Sequence, residues 1–290
     1  MRLAFLGTPE PAIASLRALV AAGHDVEIVI TRPDRRRGRG SGLIASPVKV
    51  AAEELGLRVA HRVADLDGID VERGVVVAYG AMIPAAVLER IPMLNVHFSL
   101  LPRWRGAAPV ERAILAGDEQ TGICVMSLEA GLDTGPVYLE RRVDVDEKTA
   151  AQLTDELADL GARALVEVLA SPALIEHPRP QVGEATYAAK LTTETFHLDP
   201  SMARSLALRT IRLGRAFTLV ERKRVRIDGA RASDVQVPPG SISLVEGDVV
   251  LGAADGAIVL LRVQPEGSRP MAATAWWAGA RLDGESARWW

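Results

Sequence analysis

Short apolar runs and helix-length segments alternate through the first half of this chain, and that alternation limits its fold more than any other feature. Leu3–Leu6 is a strand-like run ending in Gly7-Thr8-Pro9. Pro11–Ala22 has the length and composition of a helix, with Gly23 as its cap. Val26–Thr31 is β-branched and reads as a strand. Ser46 and Pro47 mark the N-cap and first position of a helix over Val48–Leu55, stopped by Gly56. Val75–Ala78 and Leu94–Phe98 are further strands, with a helix over Pro84–Ile91 between them. This order predicts an α/β domain with a mostly parallel, Rossmann-like sheet wrapped by helices. Ligands of such sheets sit at the carboxyl ends of strands. Gly7-Thr8, Tyr79-Gly80 and the segment after Leu94 are therefore where a site is expected.

Farther on, Val110–Ala116 reads as a helix, and Gly122–Leu128 and Val137–Val145 as strands. Thr149–Leu169 has helical periodicity, with Leu153, Leu157, Leu160, Ala164 and Val168 on one side. Pro172, Pro178, Pro180 and Pro200 predict a linker over 171–200. Met202–Leu213 reads as a helix. After it, Phe217–Val220, Val225–Ile227, Gly240–Val245, Val249–Leu251 and Ile258–Val263 read as short strands, a pattern that a small C-terminal β-barrel would show. The expected organisation is a catalytic domain over 1–170, the linker, and a second domain over 201–290.

Composition excludes several classes. A chain of 290 residues with 48% hydrophobic and 24% charged residues is globular and long enough for two domains. No apolar stretch approaches the ~20 residues of a membrane span, and the apolar part of Met1–Gly7 is too short for a signal peptide. A cytoplasmic monomer without membrane association is expected. The single cysteine, Cys124, excludes an internal disulfide and a cysteine-rich metal site, and His97 has no histidine partner nearby, so no metal is expected. Gly7-Thr8-Pro9-Glu10-Pro11 stands where a nicotinamide-binding glycine loop would follow the first strand, which argues against that cofactor. The net charge is −3, but its distribution is uneven. Acids crowd residues 129–160, whereas 202–232 carries Arg204, Arg209, Arg212, Arg215, Arg222, Lys223, Arg224, Arg226 and Arg231. That basic stretch is either a face for a polyanion or a solvated surface.

The chemistry is concentrated in Leu94-Asn95-Val96-His97-Phe98-Ser99. Alternate residues of a strand share a face, so an amide, an imidazole and a hydroxyl would stand together opposite Leu94, Val96 and Phe98. Polar groups fill a core poorly, since each needs a partner. They suit acyl chemistry: an amide can donate to an oxyanion, an imidazole can move a proton, and a carboxylate can orient both. Asp133, in Gly131-Leu132-Asp133-Thr134-Gly135, is a candidate carboxylate, although by itself it reads as a turn residue. Ser99 lacks the Gly-x-Ser-x-Gly setting of a nucleophile. His24, His61, His177 and His197 are read as structural.

Asn95-x-His97, Ser99-Leu100-Leu101-Pro102, Arg105-Gly106 and the Asp133 loop, in that order, resemble the signature of the 10-formyltetrahydrofolate-dependent formyltransferases. Arg32-Pro33-Asp34, Gly38-Arg39-Gly40, Ser46-Pro47-Val48-Lys49-Val50, Gln264-Pro265-Glu266-Gly267 and Pro270-Met271 resemble the members that act on aminoacyl-tRNA. The resemblance implies formyl transfer from 10-formyltetrahydrofolate to the methionine amino group of initiator methionyl-tRNA, and an OB-like C-terminal barrel. Asn95, His97 and Asp133 would be catalytic. His97 would serve as general base or oxyanion stabiliser; Asp133 would fix its tautomer or organise a proton-relaying water. Ser99, Leu100, Leu101 and Pro102 would line the folate pocket, with backbone from the Val77 and Tyr79 region meeting the pterin. Arg32, Arg36, Arg37 and Arg39 would grip the acceptor end, and Arg222, Lys223 and Arg224 would bind tRNA phosphates. Two alternatives stand beside this reading: a relative acting on a sugar nucleotide or other small amine, and an RNA-binding protein with an inactive enzyme domain.

Overall fold

The computed structural model describes residues 1–36, 42–282 and 287–290. It divides into two compact units, one formed by residues 1–110, 120–144 and 153–189, the other by 111–119, 145–152 and 190–290.

The chain order is β1 (Arg2–Gly7), α1 (Pro11–Ala21), β2 (Asp25–Ile30), β3 (Arg35–Arg36), β4 (Leu43–Ile44), α2 (Pro47–Glu54), β5 (Val59–Ala60), β6 (Arg73–Val77), α3 (Ala85–Arg90), β7 (Met93–His97), β8 (Arg105–Gly106), α4 (Pro109–Ala116), β9 (Gln120–Ser127), β10 (Val137–Asp144), α5 (Ala150–Ala170), α6 (Pro172–Glu176) and β11 (Tyr187–Ala188). The main sheet of the first unit runs β10-β9-β7-β6-β1-β2-β5. Neighbours from β5 to β7 are parallel, and β9 is antiparallel to both β7 and β10. The local signals act as expected: Ser46 Oγ accepts from the Lys49 N–H at 3.0 Å to cap α2. Gly161 of α5 lies against β7, where an added Cβ would come within 2.6 Å of the Val96 side chain. The apolar side of β7 is thus closed by a helix, which leaves Asn95 and His97 on the other side.

The antiparallel step sets up the site. Ser127, at the end of β9, pairs with Leu94, whereas His97 pairs with Cys124. The loop to β10 therefore leaves the sheet three residues before the end of β7. At ~3.3 Å per residue its Asp133 must climb back about 10 Å to reach His97.

Residues 171–189, expected within a linker, carry structure instead. They contain α6, a main-chain bridge from Arg179 to Val137, and β11, which pairs with β8. Proline marks turns here without excluding short pairings.

The second unit adds α7 (Arg204–Arg212), β12 (Phe217–Val220), β13 (Lys223–Ser233), β14 (Ile242–Val245), β15 (Asp248–Ala253), β16 (Gly256–Pro265), β17 (Met271–Ala272) and α8 (Ala273–Ala280). Its antiparallel sheet is ordered β12-β13-β16-β15-β14, with β17 on β16. Glu221 and Arg222 both take positive φ, as the tight turn between β12 and β13 demands. The final residues, which the sequence reading leaves unplaced, join the free edges. Leu219 and Trp290 exchange backbone hydrogen bonds at 3.0 Å each, the Trp289 N–H donates to Gly240 O at 3.0 Å, and the Trp289 ring is buried. The result is a small barrel around Val225, Ile227, Ile242, Leu251, Ile258 and Trp289.

Candidate active site

Asn95 and His97 project from the carboxyl-end half of β7, next to Val76 on one side and Met126 and Cys124 on the other. Both are buried. The His97 ring is fixed by a peptide group: its Nε2 lies 2.9 Å from Trp104 O. A carbonyl only accepts, so Nε2 carries the proton and Nδ1 is left as the basic nitrogen. Nδ1 lies 3.7 Å from Asp133 Oδ2, beyond a hydrogen bond but close enough to stabilise a cation. The Trp104 carbonyl thus favours one tautomer of His97, a task also expected of Asp133. Asp133 Oδ2 accepts from the Gly106 N–H at 2.8 Å.

Backbone conformation makes these contacts possible. Trp104 has φ 62°, Asp133 φ 50° and Gly106 φ 117°. An added Cβ at Gly106 would come within 2.9 Å of Ala188 O, so glycine is required there both by its φ and by the approach of β11. The Asn95 amide has no hydrogen-bond partner among the described residues, although the residue is only 8% exposed. Such a group has a donor and an acceptor held ready for something else.

Ser99 lies beyond the strand end, is fully buried, and donates its hydroxyl to Arg103 O at 2.6 Å, so its side chain secures the turn. That turn presents Trp104 O to His97. The Val77 side chain is likewise buried in the sheet, which leaves only its backbone for any ligand. Leu101 is buried with Cys124, Met126 and Val137; Leu100 and Pro102 are half-buried. Burial pushes the Cys124 thiol up to about 12, which keeps it protonated beside the site.

Sequence reasoning missed the Trp104 carbonyl, the Gly106 N–H and Gln181. The first two are backbone groups with no side-chain signal. Gln181 lies in the proline-rich tract; its Nε2 donates to Asp133 O and Gly135 O, both at 2.8 Å, and its Oε1 accepts from Arg105 Nη2 at 2.6 Å.

Comparison with known proteins identifies the family. Residues 1–169 match the sequence model for formyl transferase, and residues 206–281 match that for the formyl transferase C-terminal domain. The chain belongs to the formyl transferase family. It is 43% identical over 299 residues to the methionyl-tRNA formyltransferase of Roseobacter denitrificans, covering 98% of this chain and 97% of the relative. Its fold resembles that of methionyl-tRNA formyltransferase from Clostridium thermocellum, with TM-score 0.57 and 17% identity over 81% of this chain and 95% of that one. It also resembles HypX from Aquifex aeolicus in complex with tetrahydrofolic acid, with TM-score 0.68 and 19% identity. That match covers 98% of this chain, which spans about half of HypX, 48% of its length.

This family member also has a cleft of about 270 Å³ at the ends of β1, β2 and β6, lined by Thr8, Arg32, Arg35, Ser46, Tyr79 and Gly80 among others. It lies along the same carboxyl edge of the sheet as Asn95 and His97, at the point where strand order reverses. Thr8 Oγ1 donates to Tyr79 O at 3.0 Å and ties two of its walls together. Burial raises the Tyr79 phenol above its ordinary range. Arg32 is half-buried and reaches Gly80 O at 3.4 Å; Arg36 is exposed on β3. Arg37 and Arg39 lie outside the described residues.

In the second unit the basic stretch separates into two groups. Arg226 pairs with Asp228, Arg231 with Asp248, Arg204 with Asp234, and Arg212 donates to Lys148 O. Arg222, Lys223 and Arg224 are exposed and have no ion pair among the described residues. Arg224 lies over the Phe217 ring, 3.8 Å from its centroid. No helix among the described residues is long and apolar enough to cross a membrane, and none of their His, Cys, Asp and Glu side chains cluster in threes.

Proposed function

We propose that this protein transfers the formyl group of 10-formyltetrahydrofolate to the amino group of methionine on initiator methionyl-tRNA. One observation carries the chemistry: an Asn95 amide with no hydrogen-bond partner among the described residues, beside a His97 whose Nδ1 faces Asp133 Oδ2 at 3.7 Å. In this reading the methionine amine attacks the formyl carbon, and the Asn95 amide donates to the oxygen as it becomes an oxyanion. His97 Nδ1 takes a proton from the amine, and the Asp133 carboxylate steadies the imidazolium. The carbon–nitrogen bond to the folate then breaks, and that proton passes to the departing folate nitrogen. No covalent enzyme intermediate is needed.

Near-full-length identity to a methionyl-tRNA formyltransferase supports tRNA as the acceptor carrier. So do Arg32 and Arg35, which line the cleft, the further arginines that follow them in sequence, and Arg222, Lys223 and Arg224, which have no ion pair among the described residues. The same features disfavour a sugar-nucleotide acceptor, and the assembled catalytic side chains disfavour an inactive RNA-binding protein. The first unit carries the chemistry and the second binds tRNA away from the reacting end. The working unit is a monomer, and its setting is the cytoplasm.

The test is direct. Purified protein with 10-formyltetrahydrofolate is given methionyl-tRNA or an amino-sugar nucleotide, and products are read by mass spectrometry. Formylmethionyl-tRNA is expected. Product only from the amino sugar would overturn the acceptor assignment, and no formyl transfer to either would overturn the reaction.

A further inference from the structure

The Asp133 loop leaves the sheet early and has to be held against His97 by something other than strand pairing. Its restraint is a closed ring of hydrogen bonds. Asp133 Oδ2 accepts from the Gly106 N–H at 2.8 Å. Arg105, the residue before Gly106, gives its Nε and Nη2 to Gln181 Oε1 at 3.1 and 2.6 Å. Gln181 Nε2 returns to the loop, donating to Asp133 O and Gly135 O at 2.8 Å each. The chemistry leaves no freedom in the amide's orientation: two carbonyls require its NH2, and a guanidinium requires its oxygen. On either side of Gln181 the chain is pinned next to these groups, at the start of β10 and at the turn that carries Trp104. Arg179 exchanges backbone hydrogen bonds with Val137 at 2.8 Å, and Thr186 Oγ1 accepts from the Trp104 N–H at 2.9 Å.

We infer that Gln181 is a positioning residue: it fixes the peptide of Asp133 from behind, so that the carboxylate stands at His97 Nδ1 when the formyl group moves. The inference rests on the catalytic reading of Asp133 given above. Gln181 itself acts only through Asp133. Small displacements of a reacting group are costly, on the order of 10²-fold in rate for about 1 Å, so the effect should fall on turnover more than on binding.

Gln181→Glu separates the two halves of the clamp. It keeps an acceptor for Arg105 but sets a carboxylate oxygen against the two loop carbonyls. Gln181→Met removes both halves and serves as a second variant should the charged one fold poorly, with thermal midpoints measured for each. Steady-state formylation should show kcat reduced about tenfold to hundredfold, with KM for both substrates within about threefold. A double-mutant cycle with Asp133→Asn then identifies the route. If Gln181 acts through Asp133, the double variant is no slower than Asp133→Asn alone, within about threefold. Multiplying effects, or wild-type kcat in both Gln181 variants, would overturn the inference while the role of Asp133 stood. Wild-type kcat in Asp133→Asn would overturn the role of Asp133 and the inference with it.

Discussion

The cluster at the end of β7 and the basic turn between β12 and β13 are both polar surfaces, built in opposite ways. Asn95 and His97 are buried, and main-chain groups of Trp104 and Gly106 hold His97 and Asp133. Arg222 stands in solvent on a two-residue turn, with Lys223 and Arg224 beside it at the exposed start of β13, and none has an ion pair among the described residues. In the first case low local dielectric strengthens each interaction, and position decides the outcome. In the second, water and salt screen each charge, and number decides it. The difference is between groups suited to altering bonds and groups suited to holding a polyanion.

Three experiments would break or sharpen this contrast. The largest effect is expected from Asn95→Ala, with kcat lowered about 10²–10³-fold, the usual cost of one oxyanion donor. Its defect should be the same at every salt concentration, and a salt-dependent defect would mean that Asn95 belongs with the binding charges. Next is the joint replacement of Arg222, Lys223 and Arg224 by alanine. Binding of tRNA should weaken, and the slope of log affinity against log salt should flatten by roughly two to three, about 0.9 per lost phosphate contact. The turnover at saturating tRNA should be unchanged, and a wild-type salt slope would reduce the turn to a solvated surface. The smallest effect concerns acid stability. Ser201 holds the Asp199 carboxyl below its usual range, through its hydroxyl first and its N–H second. A lowered native pKa gives stability that is complete above the unfolded value, about 3.9, and is lost as pH falls through the native one. Thermal midpoints of the wild type should therefore drop slightly faster below about pH 4 than those of Asp199→Asn; parallel curves would mean that this exposed carboxylate contributes nothing.

What the sequence disclosed about these regions follows from which groups carry side-chain signals. The strands and helices of the first unit were legible because glycine, proline and capping residues punctuate apolar runs of distinct period, as Ser46 and Pro47 do for α2. Asn95 and His97 stood out because they alternate with apolar residues on a strand. The groups that aim the site did not, since every residue has a carbonyl and nearly every one an N–H. Ser99 shared the alternation, but the strand ends at His97 and the hydroxyl turns back onto Arg103 O. Gln181 lay hidden in a tract whose prolines suggested a linker, and its partners are 46 to 76 residues away. Trp289 was unreadable for the same reason: its edge partners, Val220 and Gly240, are distant in sequence, and no local pattern announces such a pairing.

The strap formed by residues 179–188 also has a consequence in time. All seven strands of the main sheet are present once Asp144 has been made, and with them all three proposed catalytic side chains. The hydrogen bonds from Gln181, Thr186 and β11 need about forty residues more. During synthesis, therefore, a sheet bearing Asn95, His97 and Asp133 can precede the setting of their geometry, and the nascent first unit acquires its shape before its aim.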